Sequence, residues 1–371
     1  MNTVDVPEDL VVEILSRVPE VSVARFRSIP KGWNALIKKE ERLAKKSLIL
    51  ILLDFRVYLA SIDLRDNVVK LTSQFSLKDP LCNPSKEVDL CDDVFHCDGL
   101  LLCTTEDKRL VVWNPRSGET SWVKPIISHE QMGIYALGKS SCNKYKILRI
   151  NTSTYYMPTD LVEYEVYDFN SNSWRVIVGE CRDWYILLPW HWGMSVSGNT
   201  YLLAGDVKVG EFLLSFDFST ERFGRVSLPP GNDDVSYHVW GLSVTREEQQ
   251  LCLLTAQNKE VLDLWRATKI ESSGAGSWCK FLSLDLAYLH HPLDLEVGMN
   301  FLADRENRVL VFAGKHGKPS NFLHIVGEDK YIQVDHHDVP SHCSLLLNYV
   351  PTLVKIQQGN LGVGARKAPI T

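Results

Sequence analysis

Two different spacings of apolar residues divide the chain near residue 46. Before this point, apolar residues recur every three or four positions, as they do on one face of an α-helix. After it, short aliphatic runs are separated by Gly, Asn, Asp and Ser, which is typical of β-strands joined by turns. The pattern predicts a small helical segment followed by a large β part.

The helical segment divides into three short helices at its prolines. Pro7 suits a first helical position, where its missing amide is not needed, and the helix PEDLVVEILSRVP is expected to end before Pro19. A second helix follows, with Val23 and Phe26 on one side and Arg25 left to solvent, and Pro30 begins a third that carries Trp33. Three helices in about 40 residues make a core of marginal size. Their apolar side chains therefore need cover, either from the rest of the chain or from a partner protein.

The β part repeats one pattern: a strand, a polar turn and a strand that begins near an aromatic residue. The repeat can be anchored at Ile62, Trp113, Tyr167, Phe216, Trp265 and Ile325, with gaps of 51, 54, 49, 49 and 60 residues. A second pair of strands fits between successive anchors. Four strands per unit of about 50 residues predict a kelch-like β-propeller of about six blades.

The two ends of the β part are expected to share one blade. The run SLLLNYVPTLVKI at residues 344–356 would complete the blade that SLILILLDFRVYLASIDL at residues 47–64 begins. Such a blade closes the ring and hides two sheet edges that would otherwise invite aggregation.

Composition narrows the functional classes. The formal charge of -6 and a pI near 6.0 give no basic surface for nucleic acid. The longest aliphatic run, Leu48 to Leu53, is far shorter than a membrane span. Nine scattered cysteines favour reduced thiols over a disulfide framework. We expect a protein of the cytoplasm or nucleus that binds neither nucleic acid nor membrane.

Three patterns could carry chemistry, and each has a simpler interpretation. GIYALGKS at residues 133–140 matches a phosphate-loop pattern, but its neighbours are strand-like rather than helical. The pairs Asp92–Asp93 and Asp233–Asp234 are expected in turns. Two segments rich in Cys and His lack the paired spacing of a zinc site; they contain Cys91, His96, Cys97 and Cys103 in the first, and Asp335, His336, His337, Asp338, His342 and Cys343 in the second. We expect no active site, metal or cofactor.

The segment CRDWYILLPWHWG at residues 181–193 concentrates aromatic side chains between two predicted blades. Its candidate binding residues are Trp184, Tyr185, Trp190 and Trp192. Aromatic residues of this kind are frequent anchors of protein interfaces. The alternative is that they cap the propeller core.

The helical segment resembles an F-box. VPEDLVVEILSRVPEVSVARFRSIPKGWNALI, residues 6–37, combines the acidic opening, the Leu/Ile-rich first helix, the Arg-Phe-Arg second helix and the Trp-x-x-Leu third helix of that motif. Val6 stands where the motif usually has leucine, and Pro30 where it usually has cysteine. The resemblance implies docking on the Skp-type adaptor of a Skp–cullin–F-box ubiquitin ligase through Pro7, Leu10, Ile14, Leu15, Pro19, Val23 and Trp33.

The β part resembles the plant F-box-associated interaction domain of type 1. The matching blocks include VVWNPRSGETSW, YEVYDFNSNSWRV, LLSFDFSTERF and NYVPTLVKI. The two resemblances imply an F-box at 1–46, a propeller-like domain that binds a target protein at 47–358, and a flexible tail at 359–371. They imply a non-catalytic receptor that selects proteins for ubiquitination. The alternative is a kelch-type propeller enzyme or carbohydrate-binding protein with a structural helical extension.

Overall fold

The computed structural model describes most of the β part of the chain. The described residues are 47–64, 66–79, 83–123, 133–151, 163–178, 184–187, 193–206, 208, 210–230, 237–245, 250–257, 261–271, 274–286, 300–313, 322–335, 343–352 and 354–356. The predicted helices, the flexible tail and the seven candidate adaptor-binding residues lie outside them. Within the described residues, the strands form six sheets of four or five strands, plus one separate hairpin.

The strands follow one another along the chain with short or moderate connections. The first nine are β1 (Ser47–Leu53), β2 (Arg56–Asp63), β3 (Val68–Phe75), β4 (Lys78–Asp79), β5 (Asn83–Glu87), β6 (Leu90–Cys97), β7 (Leu100–Thr105), β8 (Leu110–Trp113) and β9 (Thr120–Val123). The next nine are β10 (Gly133–Lys139), β11 (Tyr145–Asn151), β12 (Glu163–Asp168), β13 (Ser173–Val178), β14 (Tyr185–Ile186), β15 (Met194–Val196), β16 (Asn199–Asp206), β17 (Gly210–Asp217) and β18 (Arg222–Val226). The last nine are β19 (Tyr237–Val244), β20 (Leu251–Gln257), β21 (Val261–Ile270), β22 (Gly276–Asp285), β23 (Phe301–Asp304), β24 (Val309–Ala313), β25 (Phe322–Gly327), β26 (Tyr331–Asp335) and β27 (Cys343–Asn348).

The six sheets are the blades of a β-propeller, which confirms the predicted fold of the β part. From the axis outward, blade 1 contains β27, β1, β2 and β3; blade 2 contains β6 to β9; blade 3 contains β10 to β13. Blade 4 contains β16, β17 and β18, with β15 and β14 paired to the two ends of β16; blade 5 contains β19 to β22, and blade 6 contains β23 to β26. The innermost strands of neighbouring blades lie side by side around the ring.

The sequence repeat corresponds to one blade. All six anchors lie on the third strand of their blades: Ile62 on β2, Trp113 on β8, Tyr167 on β12, Phe216 on β17, Trp265 on β21 and Ile325 on β25. In blade 3 Tyr167 pairs with Trp174 on the fourth strand, and in blade 4 Phe216 pairs with Phe223. In these two blades the aromatic residue after the polar turn is therefore the cross-strand partner of the anchor before it, whereas in blade 2 Trp122 lies opposite Val111 instead.

Second strands are buried on both faces because each blade is covered by its two neighbours. Leu100–Cys103 on β7 and Leu251–Leu254 on β20 are fully buried. The fourth strands, at the outer edge, alternate between exposed and covered positions, as in Arg222–Val226 of β18. This contrast explains why the second strands are continuously apolar in the sequence.

The same polar turn joins the third and fourth strands of blades 2, 3 and 4. Asn114, Asp168 and Asp217 directly follow the aromatic anchors of these blades. Their side-chain oxygens accept hydrogen bonds from the backbone amides two residues further on, over 3.0, 2.8 and 2.7 Å respectively. These bonds satisfy the turn backbone, which is why the repeat contains Asn or Asp here.

The ring closes as the sequence predicts, with the last strand completing the first blade. β27 pairs antiparallel with β1, so that Leu50 lies opposite Leu347. The chain then continues as a strap, residues 349–356, over blade 2: the Asn114 side-chain amide donates to the carbonyl oxygens of Thr352 and Val354, both over 3.1 Å. Ile356 ends the strap, buried in the core shared by blades 2 to 4. Closure thus uses backbone pairing and side-chain burial together.

An ion pair between blades 3 and 4 gives a prediction for the pH dependence of stability. The Glu221 carboxylate accepts hydrogen bonds from the Lys146 ammonium over 2.8 Å and from the Arg175 guanidinium over 2.7 Å. Burial opposes ionisation, but these cations outweigh it and hold the pKa of Glu221 below its ordinary value of 4.5. Because the folded-state pKa is lowered, the stabilisation is complete above pH 4.5 and is lost as the pH falls through the folded-state pKa.

We expect Glu221→Gln to lower Tm at pH 7, and the difference from the wild type to shrink in acid. Thermal unfolding followed by circular dichroism between pH 3 and pH 7 measures this. Glu271→Gln is the matched control, since Glu271 pairs with Lys269 on the exposed surface. A difference for Glu221→Gln that does not change with pH would contradict the assigned ion pair.

Candidate functional site

The propeller has two faces with different connections. On the first, the turn face, first and second strands are joined at residues 98–99, 140–144, 197–198, 245–250 and 305–308. On the opposite side, the loop face, second and third strands are joined, and each blade leads into the next. The described strands that end and begin at this face are separated along the sequence by residues 76–89, 124–132, 152–162, 179–193, 227–236, 286–300 and 314–321. These sequence segments are longer than the turns of the opposite face, and binding residues are usually found in long connections.

The predicted helical segment joins the propeller at the turn face. The described chain begins at Ser47 on β1, the second strand of blade 1. Second strands start at the turn face and end at the loop face. The strap leaves β27 at this end too, since the Tyr349 amide donates to the Leu48 carbonyl over 3.0 Å. The loop face therefore lies at the other end of the propeller from the point where residues 1–46 are attached.

Two of the four candidate binding residues of the aromatic segment are described, Trp184 and Tyr185, and they differ in exposure. The Trp184 ring is half-buried and packs on Phe223 between blades 3 and 4, with ring centroids 5.2 Å apart. Tyr185, on β14, pairs with Gly205 near the loop-face end of β16 and is 40% exposed. Trp184 thus fits the capping interpretation, and Tyr185 is available to a partner. Trp190 and Trp192 lie outside the described residues, and target binding by this segment stays a prediction.

A further exposed aromatic, Phe55, was missed by the sequence analysis. It lies in the connection between β1 and β2 on the loop face and is 48% exposed. The two residues of this turn, Asp54 and Phe55, have φ angles of 44° and 68°. The sequence did contain a signal of an unusual turn, because a two-residue turn between aliphatic strands normally has Asn-Gly or Asp-Gly. Phenylalanine in that position is unusual.

The first Cys- and His-rich segment is part of the propeller framework. The half-buried His96 ring accepts a hydrogen bond from the Gly99 amide through Nε2 over 3.0 Å, and loss of hydration lowers its pKa to about 4, against the opposite effect of Asp98. Burial raises the pKa of the Cys97 thiol to about 12. Cys91 instead donates its thiol to the Thr105 carbonyl over 3.3 Å. The described residues contain no group of three His, Cys, Asp or Glu side chains that could hold a metal ion.

Only the two ends of the second such segment are described. Asp335 ends β26 and Cys343 begins β27, while the residues between them, with the three histidines, lie outside the described ranges. The expectation for this segment therefore stays untested.

The phosphate-loop pattern lies on a strand. Gly133–Lys139 form β10, which pairs along its length with β11. Its backbone amides serve the sheet and do not converge on a phosphate, as a loop before a helix would allow. The described geometry thus supports the interpretation that the match is accidental.

The expectation that Asp92 and Asp93 lie in a turn is wrong. Both belong to β6, at an irregularity where the register moves from Leu90 opposite Thr105 to Val94 opposite Cys103. The chain therefore advances four residues on β6 where it advances two on β7. The extra residues of β6 form a β-bulge, which accommodates polar residues within a strand. The second pair, Asp233 and Asp234, lies outside the described residues.

Within the described residues, no helix has both the length and the apolar character needed to cross a membrane.

Comparison with protein families gives two matches that follow one another along the chain. Residues 4–45 match the F-box domain, and residues 48–356 match the F-box associated beta propeller domain. The second match spans the six blades and the strap.

Relatives from Arabidopsis thaliana match over nearly their whole length. A protein named as an F-box protein is 53% identical over 370 residues, covering 96% of this chain and 99% of the relative. An F-box/kelch-repeat protein is 38% identical over 380 residues, covering 95% of each. A further F-box protein is 37% identical over 387 residues, covering 95% of this chain and 98% of the relative.

Solved structures resemble the chain only weakly. An oligogalacturonate lyase in complex with manganese has a TM-score of 0.42 and 11% identity, covering 80% of this chain and 75% of that one. A periplasmic gluconolactonase of Pseudomonas aeruginosa has a TM-score of 0.41 and 11% identity, covering 80% and 98%. Likeness at this level carries no argument about function. The two family matches and the close relatives show that this chain belongs to the F-box proteins that carry an F-box associated β-propeller domain.

Proposed function

We propose that the protein is a non-catalytic substrate receptor of a Skp–cullin–F-box ubiquitin ligase. It would bind the Skp-type adaptor through its F-box and a target protein through its propeller. The observation that carries this proposal is the order of the two family matches, an F-box at 4–45 followed by the propeller domain at 48–356. The ligase would operate in the cytoplasm or nucleus.

Adaptor binding is proposed for the apolar surface of the three predicted helices. The residues are Pro7, Leu10, Ile14, Leu15, Pro19, Val23 and Trp33. Burying about six such side chains at ~2 kcal/mol each gives on the order of 12 kcal/mol before the cost of association. That cost is several kcal/mol, so a stable complex is feasible. The cullin would be reached through the adaptor.

Target binding is proposed for the loop face. The strand ends at this face are separated by the longer sequence segments, the exposed Tyr185 pairs near it, and it lies away from the attachment of the F-box segment at Ser47. The receptor needs no catalytic group of its own. It would raise the effective concentration of target lysines near a ubiquitin-loaded enzyme, and proximity of this kind accelerates a transfer reaction.

The first test of this proposal is adaptor binding. We expect Leu15→Asp combined with Trp33→Ala to weaken binding to a plant Skp-type adaptor at least 100-fold, because both changes remove apolar contacts and one introduces a charge. Isothermal titration calorimetry with the full-length chain measures the loss. Arg25→Ala, on the side of the second helix predicted to face solvent, should bind as the wild type does. Unchanged adaptor binding by the double variant would overturn the proposed role.

A further inference from the structure

We infer that Phe55 is an anchor for the target protein, and that the segment it binds combines apolar residues with Lys or Arg. This inference rests on the proposed receptor function and assigns it a second position on the loop face. Phe55 lies at the end of blade 1, next to the connection that leads into blade 2.

The backbone at Phe55 is unfavourable for its side chain. Leu53 and Arg56 are paired in register, so Asp54 and Phe55 form a two-residue hairpin turn with positive φ at both positions. This is the conformation for which Asp-Gly is preferred, because glycine has no Cβ to clash with the backbone. A bulky residue with φ of 68° is a true outlier. The fold would be better served by glycine at residue 55.

The packing of the Phe55 side chain does not explain why the strain is retained. The side chain is 48% exposed and belongs to none of the hydrophobic clusters formed by the described residues. Its neighbours on β1, Leu52 and Leu53, are fully buried in those clusters. A strained and exposed aromatic residue therefore points to a role outside the fold.

A backbone hydrogen bond and two ion pairs connect this turn and the adjoining Arg56 to the rest of the propeller. The Phe55 carbonyl accepts a hydrogen bond from the Leu90 amide over 3.1 Å, which ties the turn to the start of β6. The Arg56 guanidinium bridges Glu87 over 3.2 Å and Asp89 over 3.5 Å, on the connection between blades 1 and 2. A turn whose backbone is already fixed loses little conformational entropy on binding, which favours its use as an interface anchor.

The surroundings of Phe55 carry an excess of acid. Arg56 is shared by two carboxylates, and Arg109 is likewise shared by Asp79 over 2.5 Å and Asp107 over 2.8 Å. Across residues 54–56, 76–79, 87–90 and 105–109 there are six acidic and four basic residues. Glu87, Asp89 and Asp107 keep 37%, 43% and 56% of their side chains exposed. The matching partner is a protein segment in which Lys or Arg flanks apolar side chains.

The test compares peptide selection on the wild type with selection on variants that suit the turn. The full-length chain, with and without a plant Skp-type adaptor, is used to select from a phage library of random dodecapeptides. We expect enrichment of peptides with apolar residues flanked by Lys or Arg. Phe55→Gly and Phe55→Asn, which both tolerate positive φ, should weaken the binding of these peptides at least tenfold. Val176→Ala, an exposed position on the outer strand of blade 3, should not.

Thermal unfolding separates a binding role from a structural one. Phe55→Gly should keep or raise Tm, by about 1–2 °C, because it removes the strain at the turn. A fall in Tm of several degrees, peptide binding that is independent of Phe55, or enrichment of acidic peptides would each overturn the inference. If the chain binds the adaptor and the peptides, but peptide binding is unchanged in the Phe55 variants, the proposed receptor function stands and only the role of Phe55 is rejected. If peptides depend on Phe55 but the adaptor does not bind the F-box, the proposed ligase role fails and the peptide site remains.

Discussion

Leu346→Asp is expected to prevent the propeller from closing. Leu346 lies on β27, is 1% exposed and pairs with Ile51 of β1 in the core between blades 1 and 6. The substitution loses the burial of a leucine, about 2–3 kcal/mol, and places a carboxylate where no water reaches it, which costs several kcal/mol more. The sum is comparable to the whole stability of a typical domain. We expect a protein with little or no cooperative thermal transition.

Val350→Asp is the matched control for this prediction. Val350 follows four residues later on the same segment, but it is 62% exposed. The same chemical change there should alter the free energy of unfolding by less than about 0.5 kcal/mol. Guanidinium unfolding followed by tryptophan fluorescence compares the two. Similar behaviour of both variants would mean that the pairing of β27 with β1 does not hold the ring together.

Gly138→Val is expected to destabilise the propeller by about 3 kcal/mol or more through overpacking. A Cβ atom at Gly138 would lie 2.0 Å from Cε2 of the Phe218 ring and 2.6 Å from the carbonyl oxygen of Gly198. Phe218 is fully buried between blades 3 and 4 and cannot move aside. Gly138, the second glycine of the apparent phosphate-loop pattern, is therefore required by the packing of the Phe218 ring from the neighbouring blade.

Chemical denaturation of Gly138→Val and Gly327→Ala tests this explanation. At Gly327 the nearest atom would be 3.3 Å from an added Cβ, so the control should cost much less. ATP should leave the Tm of the wild type unchanged, since a ligand that does not bind cannot stabilise. Wild-type stability of Gly138→Val, together with a shift in wild-type Tm on adding ATP, would restore the nucleotide-binding interpretation.

The blade architecture could be predicted because each blade carries its own local signal. The third strand holds an aromatic or aliphatic anchor, an Asn or Asp then turns the chain in several blades, and in blades 3 and 4 an aromatic cross-strand partner follows. Closure could be predicted too, since β1 and β27 are aliphatic runs that each need a covered sheet. These features depend on spacing, which a single sequence shows directly.

The features that were missed, or for which two interpretations stayed open, depend on register and side-chain direction. Asp92 and Asp93 lie in a strand because a bulge separates Leu90 from Val94, and no local pattern marks the bulge. Trp184 and Tyr185 are adjacent, yet one packs inward and the other is exposed. Phe55 is exposed because its turn has only two residues, a length that follows from the pairing of β1 with β2.

The position of β27 also sets the order of events during synthesis. The ribosome completes this strand about 300 residues after the F-box, which at typical elongation rates is a delay of roughly 15–60 s. Throughout that interval β1 lacks its inner neighbour, and the nascent chain exposes an aliphatic edge. Under the proposed receptor function, an adaptor that engages the F-box early would hold a propeller whose ring is still open, and premature termination should yield chains that occupy the adaptor without presenting a target.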